Sequence, residues 1–126
     1  MLSDKNTNIQ VLKDLLIDFR DKRDWKQFHD PKNIAEAISI EAGELQELFL
    51  WKDKETIAEE IRSNPRFKEK IGEELADIVI FCLNFANSTD LDVAAIVEDK
   101  IDKAEEKYSV KKAKGNAKKY TELEKL

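Results

Sequence analysis

Residues 63–90 read SNPRFKEKIGEELADIVIFCLNFANSTD, and they include the least polar part of the chain. Asn64 followed by Pro65 is typical of a helix start, because an Asn side chain caps the first free N–H groups and proline fits the first turn. Residues 78–89 then contain no charged side chain. A helix that is apolar on most of its circumference must be covered by neighbours, so we predict a long central helix over residues 65–87.

The rest of the chain carries similar helical signals. Three- and four-residue apolar spacing or a capping residue predicts helices over residues 7–24, 31–50, 54–62 and 91–108. Three Gly and two Pro among 126 residues leave too few turns for a sandwich or a barrel of short strands. We therefore predict an all-α fold with an antiparallel four-helix-bundle core and one additional short helix.

Charge is distributed unevenly along the chain. Residues 109–126 carry six Lys against two Glu, which leaves residues 1–108 with 16 basic and 25 acidic side chains. We expect a domain over residues 1–108 followed by a basic tail over 109–126, which is either solvated or closes over an anionic ligand. The acidic body would repel a phosphate backbone, so we expect no nucleic-acid partner.

Hydropathy argues against a membrane protein. The longest uncharged run has twelve residues, fewer than the roughly 20 that span a bilayer. The first ten residues, MLSDKNTNIQ, have no apolar core of a secretion signal. We therefore expect a cytoplasmic protein with no membrane partner.

Four carboxylates lie where an apolar helix face is expected or one turn away from it. In the helix over 31–50, Glu41 occupies a core-facing position of the apolar seam and Glu44 lies one turn further on. In the central helix, Asp77 interrupts the apolar run and Glu74 lies one turn before it. Burying ionised carboxylates is costly, so exposure, a basic partner or a divalent cation must compensate them.

The compensation that the sequence favours is a cation. Each pair has i, i+3 spacing, which places both side chains on one helix face. No Lys or Arg lies between residues 33 and 51 or between 72 and 99. The oxygen-only set predicts Mg²⁺, or alternatively Mn²⁺, because the single histidine does not form the Glu-x-x-His pattern of di-iron bundles. The predicted metal ligands are Glu41, Glu44, Glu74 and Asp77. One of these four carboxylates could act as general base, and the sequence does not say which.

The sequence pattern around these carboxylates resembles that of a known protein family. Glu41-Ala-Gly-Glu44 is followed thirty residues later by Glu74-Leu-Ala-Asp77, and RDWKQFH over residues 23–29 precedes them. This pattern is similar to the MazG-like all-α nucleoside triphosphate pyrophosphohydrolases, most of all to their dCTP pyrophosphatase-like branch. The resemblance implies an Mg²⁺-dependent enzyme of nucleotide-pool house-cleaning. Such an enzyme cleaves the α–β phosphate bond of (d)NTPs, favouring dCTP or related pyrimidine nucleotides, and releases a monophosphate and pyrophosphate.

The resemblance further implies an oligomer and a set of substrate contacts. The oligomer would be a homotetramer built as a dimer of dimers. The base pocket, with a pyrimidine stacked on an aromatic ring, would be formed by Trp25, Phe28, His29, Asn33, Trp51 and Phe81. The phosphates would be met by residues of the last helix and the tyrosine after it: Lys100, Lys103, Lys107 and Tyr108. At this corner the sequence departs from the family pattern, with Ala104 and Ser109 where relatives carry Asn and Pro.

The residues alone leave other functions open. An all-α dUTPase-like or a phosphoribosyl-ATP pyrophosphatase-like hydrolase has a similar acidic pattern. Outside the enzymes, the alternative is a non-catalytic helical interaction module whose acidic residues are merely solvated. In that case Trp25, Phe28 and Trp51 would be core or interface anchors.

Overall fold

Every regular element of the protein is a helix in the computed structural model, which describes all residues from Met1 to Leu126. A 3₁₀ turn, Lys26–Phe28, separates the first two helices. The helices are α1 (Ile9–Asp21), α2 (Pro31–Glu47), α3 (Lys54–Ser63), α4 (Pro65–Thr89), α5 (Val93–Lys107), α6 (Val110–Ala113) and α7 (Tyr120–Leu123). The all-α prediction is confirmed.

Side-chain caps fix the starts of α2, α3 and α4. Asp30 and Asn64, each followed by proline, accept hydrogen bonds from the backbone N–H three residues on, at 2.9 and 3.3 Å. Asp53 caps α3 in the same way at 2.7 Å. At the other end of α4, Asp90 adopts a left-handed conformation with φ of 53°, which ends the helix two residues beyond the predicted residue 87.

The chain forms two compact units, Met1–Asp90 and Leu91–Leu126. In the first unit α4 packs against α1, α2 and α3. The buried apolar side chains of this unit are Ile34, Phe67, Leu83 and Ala86. The first unit is therefore built around α4, as the apolar run of that helix predicts.

The second unit contains α5, α6 and α7. The rings of Tyr108 and Tyr120 lie edge to face with centroids 6.5 Å apart. The Lys107 ammonium lies 4.8 Å from the centroid of the Tyr120 ring, and Leu123 is buried. The segment predicted as a basic tail thus contains two short helices.

Part of the apolar surface of α4 stays exposed in the single chain. Leu75 is 51% exposed and Val79 is 44% exposed. The single chain therefore leaves part of this helix uncovered, and its coverage by a second chain stays a prediction. No single helix is long and apolar enough to cross a membrane, and α4 and α5 reach that length and composition only when they are added together across the break between them.

Candidate functional site

Carboxylates of α2 and α4 meet at one point of the first unit. One oxygen from each of Glu41, Glu44 and Glu74 lies within 4.8 Å of the other two. Glu41 and Glu74 are half-buried and Glu44 is exposed, while Asp77 lies half-buried one turn beyond Glu74 on α4. The half-buried position of Glu41 follows from its place in the apolar seam of α2. The structure thus brings the two predicted acidic pairs close together.

Two of these carboxylates lack any compensating group. The Oε2 atoms of Glu41 and Glu74 are buried and have no hydrogen-bond partner. None of the ion pairs of the chain involves any of the four acids. Buried oxygens of this kind are rare in folded proteins unless a ligand satisfies them.

Burial and mutual repulsion both act on the titration of the cluster. Loss of hydration raises the pKa of Glu41 above its ordinary value, and the neighbouring carboxylate of Glu44 and the charges of Asp77 and Glu74 raise it further. Loss of hydration also raises the pKa of Glu74, followed by the effect of Glu44. The cluster therefore holds negative charge at a cost, which a bound cation would remove.

The donor set fits a hard divalent cation. Carboxylate oxygens are the ligands that Mg²⁺ and Mn²⁺ prefer, and no His or Cys belongs to the cluster. The observation that supports this fit is that Glu41 and Glu74, on different helices, each have a buried Oε2 atom without a hydrogen-bond partner.

A cavity of about 670 Å³ lies beside the acidic cluster, with Asp77 on its wall. Residues of α1, of the irregular segment after it and of α4 line the cavity. The rings of Phe19 and Trp25 meet edge to face on this wall, with centroids 5.8 Å apart. The Arg23 guanidinium lies 3.7 Å from the Phe19 centroid. The cavity thus combines aromatic surface with Asp77, one of the four predicted acidic residues.

The predicted base-pocket residues divide into two groups. Phe28 and Trp51 are exposed and do not line the cavity. The Asn33 amide, also off its wall, donates to the Asp30 carboxylate at 2.7 Å. The predicted residues that the structure does bring together around the cavity are Trp25, His29 and Phe81.

The predicted phosphate-contacting residues all belong to the second unit. The Lys103 ammonium pairs with Asp99 at 2.6 Å, Lys107 lies over the Tyr120 ring, and Lys100 is exposed. Their role in phosphate binding, and that of Tyr108, stays a prediction.

Two polar residues on the cavity wall were not selected from the sequence. Arg20 and Asn84 are the only buried polar or charged residues of the chain, with 9% and 8% of their surface exposed. Asn84 interrupts an otherwise apolar run of α4, and this was the signal available for it. Arg20 lies at the polar end of an amphipathic helix, where an arginine is ordinary.

His29 borders the same cavity in a neutral state. Burial lowers its pKa, and the positive charge of Arg20 lowers it further. At neutral pH the imidazole therefore offers one donor and one acceptor nitrogen.

Comparison with known proteins places the chain among nucleotide-hydrolysing relatives. The model of the MazG-like family matches residues 36–123. The chain is 37% identical over 115 residues to dCTP pyrophosphatase 1 of Bos taurus, an alignment that covers 91% of this chain and 68% of the relative. It is 35% identical to dCTP pyrophosphatase 1 of Homo sapiens, with 91% and 67% covered. A crystal structure of a pyrophosphatase from Archaeoglobus fulgidus matches with a TM-score of 0.75 at 33% identity, covering 86% of this chain and 99% of that one.

Proposed function

The chain belongs to the MazG-like family and is an enzyme of the nucleotide pyrophosphohydrolase class, and we propose that it hydrolyses the α–β phosphate bond of (d)NTPs. We propose dCTP or a related pyrimidine nucleotide as the favoured substrate, because relatives that align over nine tenths of this chain are named dCTP pyrophosphatases. The products would be a nucleoside monophosphate and pyrophosphate. The observation that carries the proposal is the pair of buried, unpartnered carboxylate oxygens beside a cavity with an aromatic wall.

The reaction requires compensation of negative charge. We propose Mg²⁺ for this role, with Mn²⁺ as the alternative, held by Glu41, Glu44, Glu74 and Asp77. A cation bound there neutralises phosphate charge and lowers the pKa of a coordinated water.

The residues of the chain would orient the substrate. Asp77 alone of the four acids also lines the cavity, and we therefore propose that its carboxylate orients the attacking water. Trp25 and Phe81, on the same wall, offer aromatic surface for stacking the base. Phosphates would then lie toward Asp77 and the base deeper in the cavity.

We further propose that the enzyme is a homotetramer made of two tight dimers. Leu75 and Val79 are exposed apolar side chains of α4, and Ile96, Val97 and Ile101 are exposed apolar side chains of α5. Apolar side chains grouped on an exposed helix face indicate a protein interface. Light scattering during gel filtration should give four times the 14.6 kDa of one chain, and the mass of a single chain would contradict the proposal.

The direct test of the function is a panel of nucleotides with the purified protein. In Mg²⁺, dCTP should yield dCMP and pyrophosphate, and EDTA should abolish the reaction. Faster turnover of dUTP or of phosphoribosyl-ATP would favour the corresponding alternative hydrolase. No monophosphate from any nucleotide would refute the proposed function.

A matched pair of variants on α2 tests the acidic cluster. Glu44 and Glu47 are both exposed glutamates of α2, and only Glu44 belongs to the cluster. Glu44→Gln should lower kcat/KM at least about tenfold, since even residues that only support metal ligands have effects of that size. Glu47→Gln should leave it unchanged. Equal effects of the two substitutions would remove the cluster from the mechanism.

A further inference from the structure

The two buried polar residues of the chain lie on the wall of one cavity. Arg20 and Asn84 come from different helices, α1 and α4, and both line the cavity that contains Asp77. Each is more than nine tenths buried. Buried polar side chains are normally hydrogen-bonded, so the hydrogen-bond partners of Arg20 and Asn84 indicate the role of the two residues.

Most of the hydrogen-bonding capacity of this pair is unused within the protein. The Nε of Arg20 donates to Asp21 at 2.8 Å, whereas its two terminal nitrogens donate to no protein group. The Asn84 side-chain amide forms no hydrogen bond with the protein. None of these atoms is among the fully buried side-chain atoms that lack a partner, so they stay accessible and can bind a polar ligand in the cavity.

The position of the pair along α4 indicates which part of a nucleotide it would meet. Asp77, Phe81 and Asn84 are spaced by four and three residues and therefore share one helix face. Asn84 lies about 10 Å from Asp77 along the helix axis, comparable with the span from the α-phosphate of a nucleotide to the far edge of its base. With the phosphates at Asp77 and the base against Phe81, the edge of the base reaches Asn84.

The packing of α1 brings Arg20 to this part of the cavity. Asn87, near the end of α4, donates to the backbone carbonyl of Lys13, near the start of α1, at 3.2 Å. Arg20 and His29 also line a smaller pocket together with Asn87, which lies three residues beyond Asn84 on α4. Arg20 therefore lies near the Asn84 end of the cavity, with His29 beside it.

We propose that Arg20 and Asn84 read the edge of the base and select cytosine over uracil and thymine. Arg20 offers donors only, while Asn84 offers a donor and an acceptor. Cytosine presents two adjacent acceptors, O2 and N3, beside the donor N4 amino group, so the guanidinium can bind the first two and the Asn84 oxygen the third. Uracil and thymine carry an N–H at position 3, which faces the guanidinium donors without a partner. This inference rests on the proposed function.

The experiment compares dCTP with dUTP, which have nearly the same shape. Wild-type enzyme in Mg²⁺ should have the higher kcat/KM on dCTP. Arg20→Met and Asn84→Leu should each lower kcat/KM for dCTP about tenfold to a hundredfold and change kcat/KM for dUTP much less. Arg62→Met is the matched control, because Arg62 is exposed on α3 and pairs with Glu59. It should leave the ratio of the two substrates unchanged.

Further measurements separate base reading from a structural role or a phosphate contact. Arg20→Lys keeps the charge but not the planar fork, so it should fold with an unchanged melting temperature and still lose most of the preference. An unchanged dCTP to dUTP ratio in the Arg20 and Asn84 variants overturns the inference. An equal loss on both substrates does so as well, because it indicates a contact with the phosphates or a general loss of structure.

Product binding gives a readout that does not depend on turnover. Calorimetry should show that wild-type protein binds dCMP more tightly than dUMP, and that Arg20→Met removes the difference. Equal binding of the two monophosphates, or binding of neither, overturns the inference. Absence of turnover together with selective dCMP binding would instead refute the proposed reaction and leave the base-reading site in place.

Discussion

Glu41→Gln is expected to stabilise the metal-free protein while removing most of its stabilisation by Mg²⁺. The Oε2 atom of Glu41 is buried without a hydrogen-bond partner, and oxygens of Glu44 and Glu74 lie within 4.8 Å of a Glu41 oxygen. A neutral amide of the same shape removes the repulsion and provides an N–H that a neighbouring carboxylate can accept. The variant should therefore melt at a higher temperature than the wild type in EDTA.

The size of the Mg²⁺ effect follows from linkage. A cation that binds only the folded chain, at 100 times its dissociation constant, raises the free energy of unfolding by about 2.7 kcal/mol. For a chain of 126 residues, at about 4 °C per kcal/mol, this is about 10 °C. If the loss of the Glu41 ligand weakens binding about a hundredfold, the same Mg²⁺ concentration stabilises the variant by only about 0.4 kcal/mol, or about 2 °C.

Thermal unfolding at pH 7.5 in EDTA and in Mg²⁺ measures both effects. Glu47→Gln is the control, because it removes an exposed carboxylate of the same helix that lies outside the cluster. The reasoning fails if Glu41→Gln shows the full wild-type shift with Mg²⁺. It also fails if the wild type gains no stability from the cation.

Two further predictions concern pH and the core. The pKa values of Glu41 and Glu74 are raised in the folded chain above 4.5, so between 4.5 and the folded values the folded state binds more protons than the unfolded state. The free energy of unfolding of the wild type in EDTA should thus fall as pH rises through this window. Denaturant titrations should show that the difference in this free energy between Glu41→Gln and wild type grows with pH. A difference that stays constant with pH would contradict this prediction. Ile34 is only 3% exposed, so Ile34→Ala should lower the free energy of unfolding by about 2–5 kcal/mol. Ile40 is 62% exposed, so the control Ile40→Ala should lower it by no more than about 0.5 kcal/mol. Similar losses in the two variants would count against the assigned core.

The helices were predictable where their signals are local. Asn64 before Pro65 and Asp30 before Pro31 set helix starts through contacts that span three residues, so the sequence alone contains the cause. The short helices α6 and α7 have four residues each, too few for any apolar periodicity, and the prediction left that segment as a tail.

The acidic part of the candidate site was also predictable from local sequence, whereas the rest of the site was not. The acidic pairs were found because i, i+3 spacing on one helix is a local property and because no basic residue lies nearby in sequence. Arg20 and Asn84 were not found as a pair, because their proximity depends on how α1 packs against α4. Trp51 was assigned to the base pocket from the family resemblance, but in the single chain its side chain is exposed and does not line the cavity.

The proposed chemistry and the proposed base recognition are linked by the rigidity of α4. Asp77, Phe81 and Asn84 occupy successive turns of one continuous helix, so the distance between the acidic cluster and the base-reading group is fixed by the helical rise. A nucleotide whose base fails to bond Arg20 and Asn84 would therefore also bind with its phosphates out of register with the acidic cluster. Because misplacement of a reacting group is costly to the rate, discrimination at Asn84 would be transmitted to the cleaved bond without any movement of the protein.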